Sequence, residues 1–173
     1  MLAENLLVGQ RIERQGLGLH ARPIKLARFV REFIEEHRII LPDENISLQL
    51  NCPEDTAALA DPDALRVILE NLTDNALKYG GDNPHLTYAL SLVDSHALVS
   101  VSDTGIGFAP GQAELIFDAY QRLTSEEPKG KHGTGMGLHL SRQLAGKMGG
   151  SLNASSEGEG KGASFIISLK VAR

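Results

Sequence analysis

Apolar residues recur along this chain with two periods, and the places where the period changes mark out its elements. Leu2, Leu6, Leu7 and Ile12 predict a short amphipathic helix over residues 1–16. A short strand is expected over 17–21. Pro23 stands where the first turn of a helix tolerates proline. Leu26, Phe29, Val30, Phe33 and Ile34 follow as one apolar stripe, which predicts a helix to about His37. Ile46, Leu48 and Leu50 alternate with polar residues and predict a half-buried strand over 46–51. Asp61-Pro62 opens a helix over roughly 62–79, with Leu65, Ile68, Leu69, Leu72 and Ala76 as its buried stripe and Gly80-Gly81 at its end. Leu86, Tyr88, Leu90 and Leu92, then Val99 and Val101, alternate on either side of a turn near Asp94-Ser95-His96, the pattern of a hairpin. Asp103 continues the Val99–Val101 row, which puts a carboxylate at the mouth of a core-facing face.

From Gly105 to Met136 the periodicity fails. Only 113–123 reads as locally helical, and Ser125–Gly135 is rich in Gly, Pro and charge. A loop of this length inside a compact domain suits a functional lid, here about 109–136. Leu138, Ser141, Leu144, Ala145 and Met148 then define another helix, ended by Gly149-Gly150. Leu152 to Ala154, and Phe165, Ile167, Leu169 and Val171, predict two last strands across a Gly-rich turn. This order predicts an α+β domain, a two-layer sandwich with helices on one face of a mostly antiparallel mixed sheet.

The 173 residues suffice for one domain with a sizeable core. The net charge of −5 argues against nucleic acid or an anionic membrane as the main partner, since both favour clustered Lys and Arg. Cys52 is the only cysteine, so no internal disulfide can form, and a reducing, cytoplasmic compartment is expected. No apolar run approaches the roughly 20 residues of a membrane helix. His20, His37, His85, His96 and His139 show neither metal-like spacing nor catalytic pairing.

Asn71, Asn75 and Lys78 form a second, polar stripe on the 62–79 helix. It is centred about a quarter-turn or slightly more from the buried one. It therefore borders the core, where it suits the wall of a pocket. Four motifs follow in order. They are Asn71-Leu-Thr-Asp-Asn75-Ala-Leu-Lys78-Tyr79, Asp103-Thr-Gly105-Ile106-Gly107-Phe108, Ile116-Phe117-Asp118-Ala-Tyr120-Gln-Arg122 and Gly133-Thr134-Gly135-Met136-Gly137-Leu138, with a Gly160-Lys-Gly162-Ala-Ser-Phe165 turn after them. The series resembles the N, G1, F, G2 and G3 boxes of sensor histidine kinases, within the GHKL ATPase superfamily. It covers about 61–171, and 17–60 is similar to the rest of that family's catalytic domain.

The resemblance implies the Bergerat ATP-binding fold, with ATP and Mg²⁺ as ligands and transfer of the γ-phosphate to a histidine. It makes Asn75 the Mg²⁺ ligand, a neutral oxygen donor of the kind this cation accepts while it bridges phosphates. Asn71 occupies the place where a Glu activates water in hydrolysing relatives such as gyrase B and MutL, so transfer to a protein is expected over hydrolysis. Asn71, Lys78 and Arg122 become the catalytic candidates. Tyr79 is expected to line the nucleotide site. Asp103 would accept a hydrogen bond from the adenine amine, favouring adenine over guanine. Gly105, Ile106 and Gly107 would form the loop beneath the base, with glycine giving the backbone close approach. Gly133, Thr134, Gly135, Met136, Gly137 and Leu138 would offer backbone N–H groups and a helix N-terminus to the phosphates. Arg122 and Lys131 would flank the lid near the γ-phosphate. Phe117 and Tyr120 are expected to pack the core or the lid, with no chemical role. Met136 stands where the family usually has Leu, a swap that preserves volume.

The family's phosphoacceptor box is absent, and His20 lies in a different context, Gly-Leu-His-Ala-Arg-Pro. Residues 1–16 resemble the end of the dimerisation and phosphoacceptor segment, with 17–173 as the catalytic domain. The chain is therefore expected to derive from a larger protein and to bind ATP without phosphorylating itself. The resemblance also implies, as partners, the histidine-bearing domain of the same protein and a downstream response regulator. Neither nucleic acid nor direct membrane contact is expected. The isolated domain would be a monomer of a homodimeric parent, itself cytoplasmic or membrane-anchored. Three alternatives share the fold: a kinase-like nucleotide-binding module that regulates or docks without transfer, an anti-sigma-type serine kinase, and, lowest, a GHKL ATPase such as gyrase. The second ranks lower because such kinases typically keep Glu at position 71.

Overall fold

A computed structural model describes residues 19–37, 45–120 and 135–172. Five strands form the main sheet, β2 (Ile46–Asn51), β4 (Leu86–Val93), β5 (His96–Asp103), β6 (Ser151–Ser155) and β7 (Ser164–Lys170), in the order β2-β4-β5-β7-β6. The β2–β4 pair is parallel and the others are antiparallel. The parallel pair follows from the connection, since the chain crosses over between the two strands through helix α2 (Pro62–Tyr79). Helices α1 (Leu26–His37), α2 and α3 (Gly137–Lys147) complete the second layer. This is the predicted α+β class, with a mostly antiparallel mixed sheet.

Alternation along the strands sorts the two faces. Leu86, Tyr88, Leu90, Val99, Val101, Leu152, Phe165, Ile167 and Leu169 are buried, while Ser91, Ser100, Ser102, Ser164 and Ser168 point the other way. The buried face meets Leu26, Val30, Phe33 and Ile34 of α1 and Leu65, Ile68, Leu69 and Leu72 of α2 in one core.

Two expectations about the N-terminal half are corrected. Pro23 lies in strand β1 (Arg22–Lys25) opposite Leu59 of β3 (Ala57–Ala60), and the helix begins only at Leu26. Proline lacks an N–H, but among the described residues β1 pairs only with β3, and such an edge strand tolerates an extended proline. The short strand expected at 17–21 is thereby displaced. Residues 19–21 are not strand, and 17–18 lie outside the described residues, as does the predicted helix over 1–16. β3 reads Ala-Ala-Leu-Ala, which carries no alternation and low strand propensity, so pairing with β1 makes it a strand. The helix expected over 113–123 is also corrected. Single 3₁₀ turns occur at Pro110–Gln112 and Leu115–Phe117, Asp118 is extended, and Tyr120 adopts φ 65°, so no helix can propagate as far as Tyr120.

Two polar contacts fix α2. Asp61 caps it, its Oδ1 accepting from the N–H groups of Asp63 and Ala64 at 3.0 Å each while Oδ2 accepts from His20 N–H at 2.8 Å. In the core, Thr73 Oγ1 donates to the Leu69 carbonyl at 2.7 Å, which spends its one proton. The Tyr88 hydroxyl, 2.7 Å away, must therefore donate to Thr73. Burial pushes the Tyr88 phenol from its usual 10.0 up to about 12.

The raised value gives stability a sign with pH. The unfolded chain releases the phenolic proton first, so the stabilisation is complete below pH 10 and is lost as pH rises through about 12. Chemical denaturation across this range should show that decline, and Tyr88→Phe should make it shallower. At neutral pH, Thr73→Val should cost about 1–3 kcal/mol, because it leaves the buried Tyr88 hydroxyl without its acceptor.

Candidate functional site

The polar stripe of α2 runs along one wall of the candidate site. Asn71 is buried at 9% exposure, and its Nδ2 donates to the Gly137 carbonyl at 3.2 Å and to Ser141 Oγ at 3.0 Å. One turn on, Asn75 is half-buried, and its amide has no hydrogen-bond partner among the described residues. Lys78 holds its ammonium over the Tyr79 ring, 5.1 Å from the centroid. At 1.5 Å per residue, the stretch from Asn71 to Tyr79 is about 12 Å long.

The C-terminal end of α2 receives the Asp103–Phe108 loop. The Tyr79 carbonyl, an orphan of the last turn, accepts from Ile106 N–H at 3.0 Å. Gly105 is required there, since a Cβ would lie 2.4 Å from that carbonyl. Asp103 ends β5 opposite Leu86. Its Oδ1 accepts from the N–H groups of Gly105 at 2.8 Å and Ala163 at 3.3 Å, and no donor among the described residues is bonded to Oδ2. Burial pushes the carboxyl above the ordinary aspartate range, and the two backbone donors oppose that shift. One oxygen is thus anchored while the other keeps its lone pairs.

The turn between β6 and β7 braces this loop from the far side. Gly160 and Gly162 donate to the carbonyls of Ile106 and Gly105 at 2.6 and 2.9 Å, and Asp103 N–H donates to the Ala163 carbonyl at 2.9 Å. Ser156 is the hub, its hydroxyl accepting from Phe108 N–H at 3.1 Å and lying 2.7 Å from the Gly162 carbonyl. Its role had no sequence signal, because Ser156 sits in a polar run with no periodicity. The same holds for Ala163, which acts through its backbone alone.

At the other end, Gly135 takes φ 72° and leads through Met136 into Gly137, the first residue of α3. The Met136 side chain makes no capping hydrogen bond to the first turn. Leu138 is half-buried against the core. Phe117 is buried beneath Arg142, whose guanidinium lies 4.6 Å from the ring centroid and 2.7 Å from Glu114. His139 Nδ1 donates to the Phe117 carbonyl at 3.0 Å, which leaves Nε2 to accept from Gln143. Tyr120 is 75% exposed, so of the two aromatic residues only Phe117 packs the core. Arg122, Lys131, Gly133 and Thr134 lie outside the described residues.

Comparison with known proteins gives this geometry a lineage. Residues 60–173 match the family described as histidine kinase-, DNA gyrase B-, and HSP90-like ATPase. This chain belongs to that ATPase family. Within it, the domain is of the sensor histidine kinase kind, and nucleotide binding comes with the family. Sensor protein SrrB of Staphylococcus aureus (strain MRSA252) is 28% identical over 168 residues, 97% of this chain but 29% of SrrB. The chain thus spans less than a third of the curated relatives it matches. Full-length ShkA, solved in complex with AMPPNP, superposes with a TM-score of 0.77 at 27% identity, over 99% of this chain and 35% of that one. The nucleotide-free catalytic domain of histidine kinase ThkA shares the fold, with a TM-score of 0.73 at 22% identity over 87% of this chain and 97% of ThkA's.

Gly162 is the sharpest test of the braced loop in this ATPase domain. It holds φ +71°, and an added Cβ would lie 2.0 Å from the Asp103 carbonyl. Gly162→Ala should cost about 1–3 kcal/mol in a denaturant melt and weaken nucleotide binding with it.

Proposed function

We propose that this domain binds Mg-ATP and donates the γ-phosphate to a histidine outside this chain, as the catalytic domain of a two-component sensor kinase. The observation that carries the reading is the state of Asn71. At the place where hydrolysing relatives keep a Glu, this side chain is an amide whose nitrogen donates to α3. It has no basic site to take a proton from water, so the acceptor must bring its own nucleophile.

Asp103 is assigned the adenine. With Oδ1 anchored on Gly105 and Ala163, Oδ2 would accept from the exocyclic amine. Asn75 fits a magnesium ion because its amide oxygen is uncommitted among the described residues. The described residues hold no group of three or more His, Cys, Asp or Glu that could make a metal site by themselves, which suits an ion held mainly by phosphates and water. When bound, Mg²⁺ would neutralise charge on the phosphates. The first turn of α3, with Gly133 to Leu138 around it, would hold the phosphate oxygens through N–H groups, and Lys78, Arg122 and Lys131 would add positive charge. In the transfer, the bond from the γ-phosphorus to the ADP oxygen breaks and a bond to the histidine nitrogen forms. ADP leaves, and the imidazole proton passes to an acceptor beside that histidine.

Residues 1–16 are assigned to the end of the preceding helical segment, 17–173 to the catalytic domain, and about 109–136 to the lid. The histidine-bearing domain and a response regulator are the proposed partners, with the domain itself a monomer in the cytoplasm. Among the described residues no helix is long and apolar enough to cross a membrane.

Calorimetric titration with ATP, with and without Mg²⁺, tests the assignment. Binding should weaken without the metal. Asp103→Asn should reduce it by about 100-fold or more, because with its oxygen kept on the two N–H groups the new amide would face the adenine amine donor to donor. Acidification should mimic the substitution, since protonation of Oδ2 also turns an acceptor into a donor. Because burial raises this carboxyl, affinity should begin to fall at a higher pH than an ordinary aspartate would dictate, and should recover on return to neutrality. Folded wild-type protein that binds no ATP at millimolar concentration would reject the kinase reading in favour of a docking or regulatory module.

A further inference from the structure

The phosphate end of the site contains a contact that no motif marks. Ser141 lies one turn into α3, is fully buried, and sets its hydroxyl 3.0 Å from Asn71 Nδ2. The same nitrogen donates to the Gly137 carbonyl at 3.2 Å. A carbonyl can only accept, so the nitrogen branch of the amide must face α3. Both N–H groups of Asn71 are thereby used. A Cβ on Gly137 would lie 3.4 Å from Asn71 Oδ1 and Cγ, so α2 meets the first residue of α3 at backbone range.

Apolar packing alone would let two helices slide by fractions of an ångström. A buried amide and hydroxyl do not allow that, because burial is costly unless both are bonded, and the bonds exist only over a narrow range of separation. We propose that Asn71 and Ser141 form a clasp that sets the distance between α2 and the N-terminus of α3, and so positions the first-turn N–H groups for the nucleotide's phosphates. Ser141 is then a positioning residue, which acts through Asn71 and the helix without touching ATP. The inference rests on the nucleotide reading above and deepens it.

The test compares ATP with adenosine, which reaches only the Asp103 end. Ser141→Ala should fold, since alanine favours helix and the change removes one oxygen. Its affinity for ATP, measured by NMR titration in Mg²⁺, should fall about 3- to 10-fold, the loss expected of one hydrogen bond. Its affinity for adenosine should stay within about twofold of wild type, inside the scatter of one weak contact. The Asn71 side-chain amide protons, buried and bonded in the wild type, should exchange faster in the variant than in the wild type. Asn71→Asp, which sets a carboxylate oxygen against the Gly137 carbonyl, should lose more ATP affinity than Ser141→Ala and again spare adenosine. An unchanged ratio of ATP to adenosine affinity in Ser141→Ala, or equal losses for both ligands, overturns the clasp. A folded wild type that binds neither ligand overturns the nucleotide reading itself, and the clasp's positioning role falls with it.

Discussion

The rotation of α2 about its own axis is the constraint on which the rest depends. Its apolar and polar stripes lie about a quarter-turn apart, so the same rotation that buries Leu65, Ile68, Leu69 and Leu72 delivers Asn71 and Asn75 to the edge of the core. Apolar burial sets that angle coarsely. The Tyr88 hydroxyl, bonded to Thr73 on the flank of the helix away from the two asparagines, sets it finely, because that bond ties the helix to β4 at one position. Packing and site geometry are here one interaction seen from two sides.

The two ends of the site are built by different means. At the proposed base end a side chain would do the recognition, and the backbone of Gly105 and Ala163 holds Asp103 in place. At the proposed phosphate end the backbone would do the recognition, and the side chains of Asn71 and Ser141 join the two helices there. The exchange suits the ligand. A base offers a directional edge that one oriented acceptor can discriminate, whereas phosphate oxygens are negative on all sides and suit a set of N–H groups.

Much of this was legible in the sequence, for reasons particular residues make clear. Alternation in β4, β5 and β7 is legible because one face is core and the other carries Ser91, Ser100, Ser102, Ser164 and Ser168 among its residues, so the strands could be read directly. The helix at 62–79 carried both a cap, Asp61-Pro62, and a stop, Gly80-Gly81. Where the reading failed, tertiary contact overrode local preference. Pro23 looked like a helix start until β3 gave it a partner, and β3 itself has a composition that favours helix. The helix expected at 113–123 failed because Phe117 is drawn into the core under Arg142, an attraction between residues 25 apart in sequence that no local window contains.

The candidate site divides along the same line. Its side-chain candidates were readable, because a carboxylate on an apolar row and amides beside a buried stripe are anomalies of pattern. Its supports were not, since Ala163 acts through an N–H group that every residue but proline has, and Ser141 occupies a core position that periodicity assigns only as buried. Ser141 shows the limit most plainly. The stripe Leu138, Ser141, Leu144, Ala145, Met148 places it facing inward, and its neighbours there are apolar. An inward serine gains nothing from an apolar environment and must find a partner, so its presence in the stripe implies a polar group opposite. Which group that is depends on how α3 lies against α2, a fact of packing that leaves no trace in either helix alone.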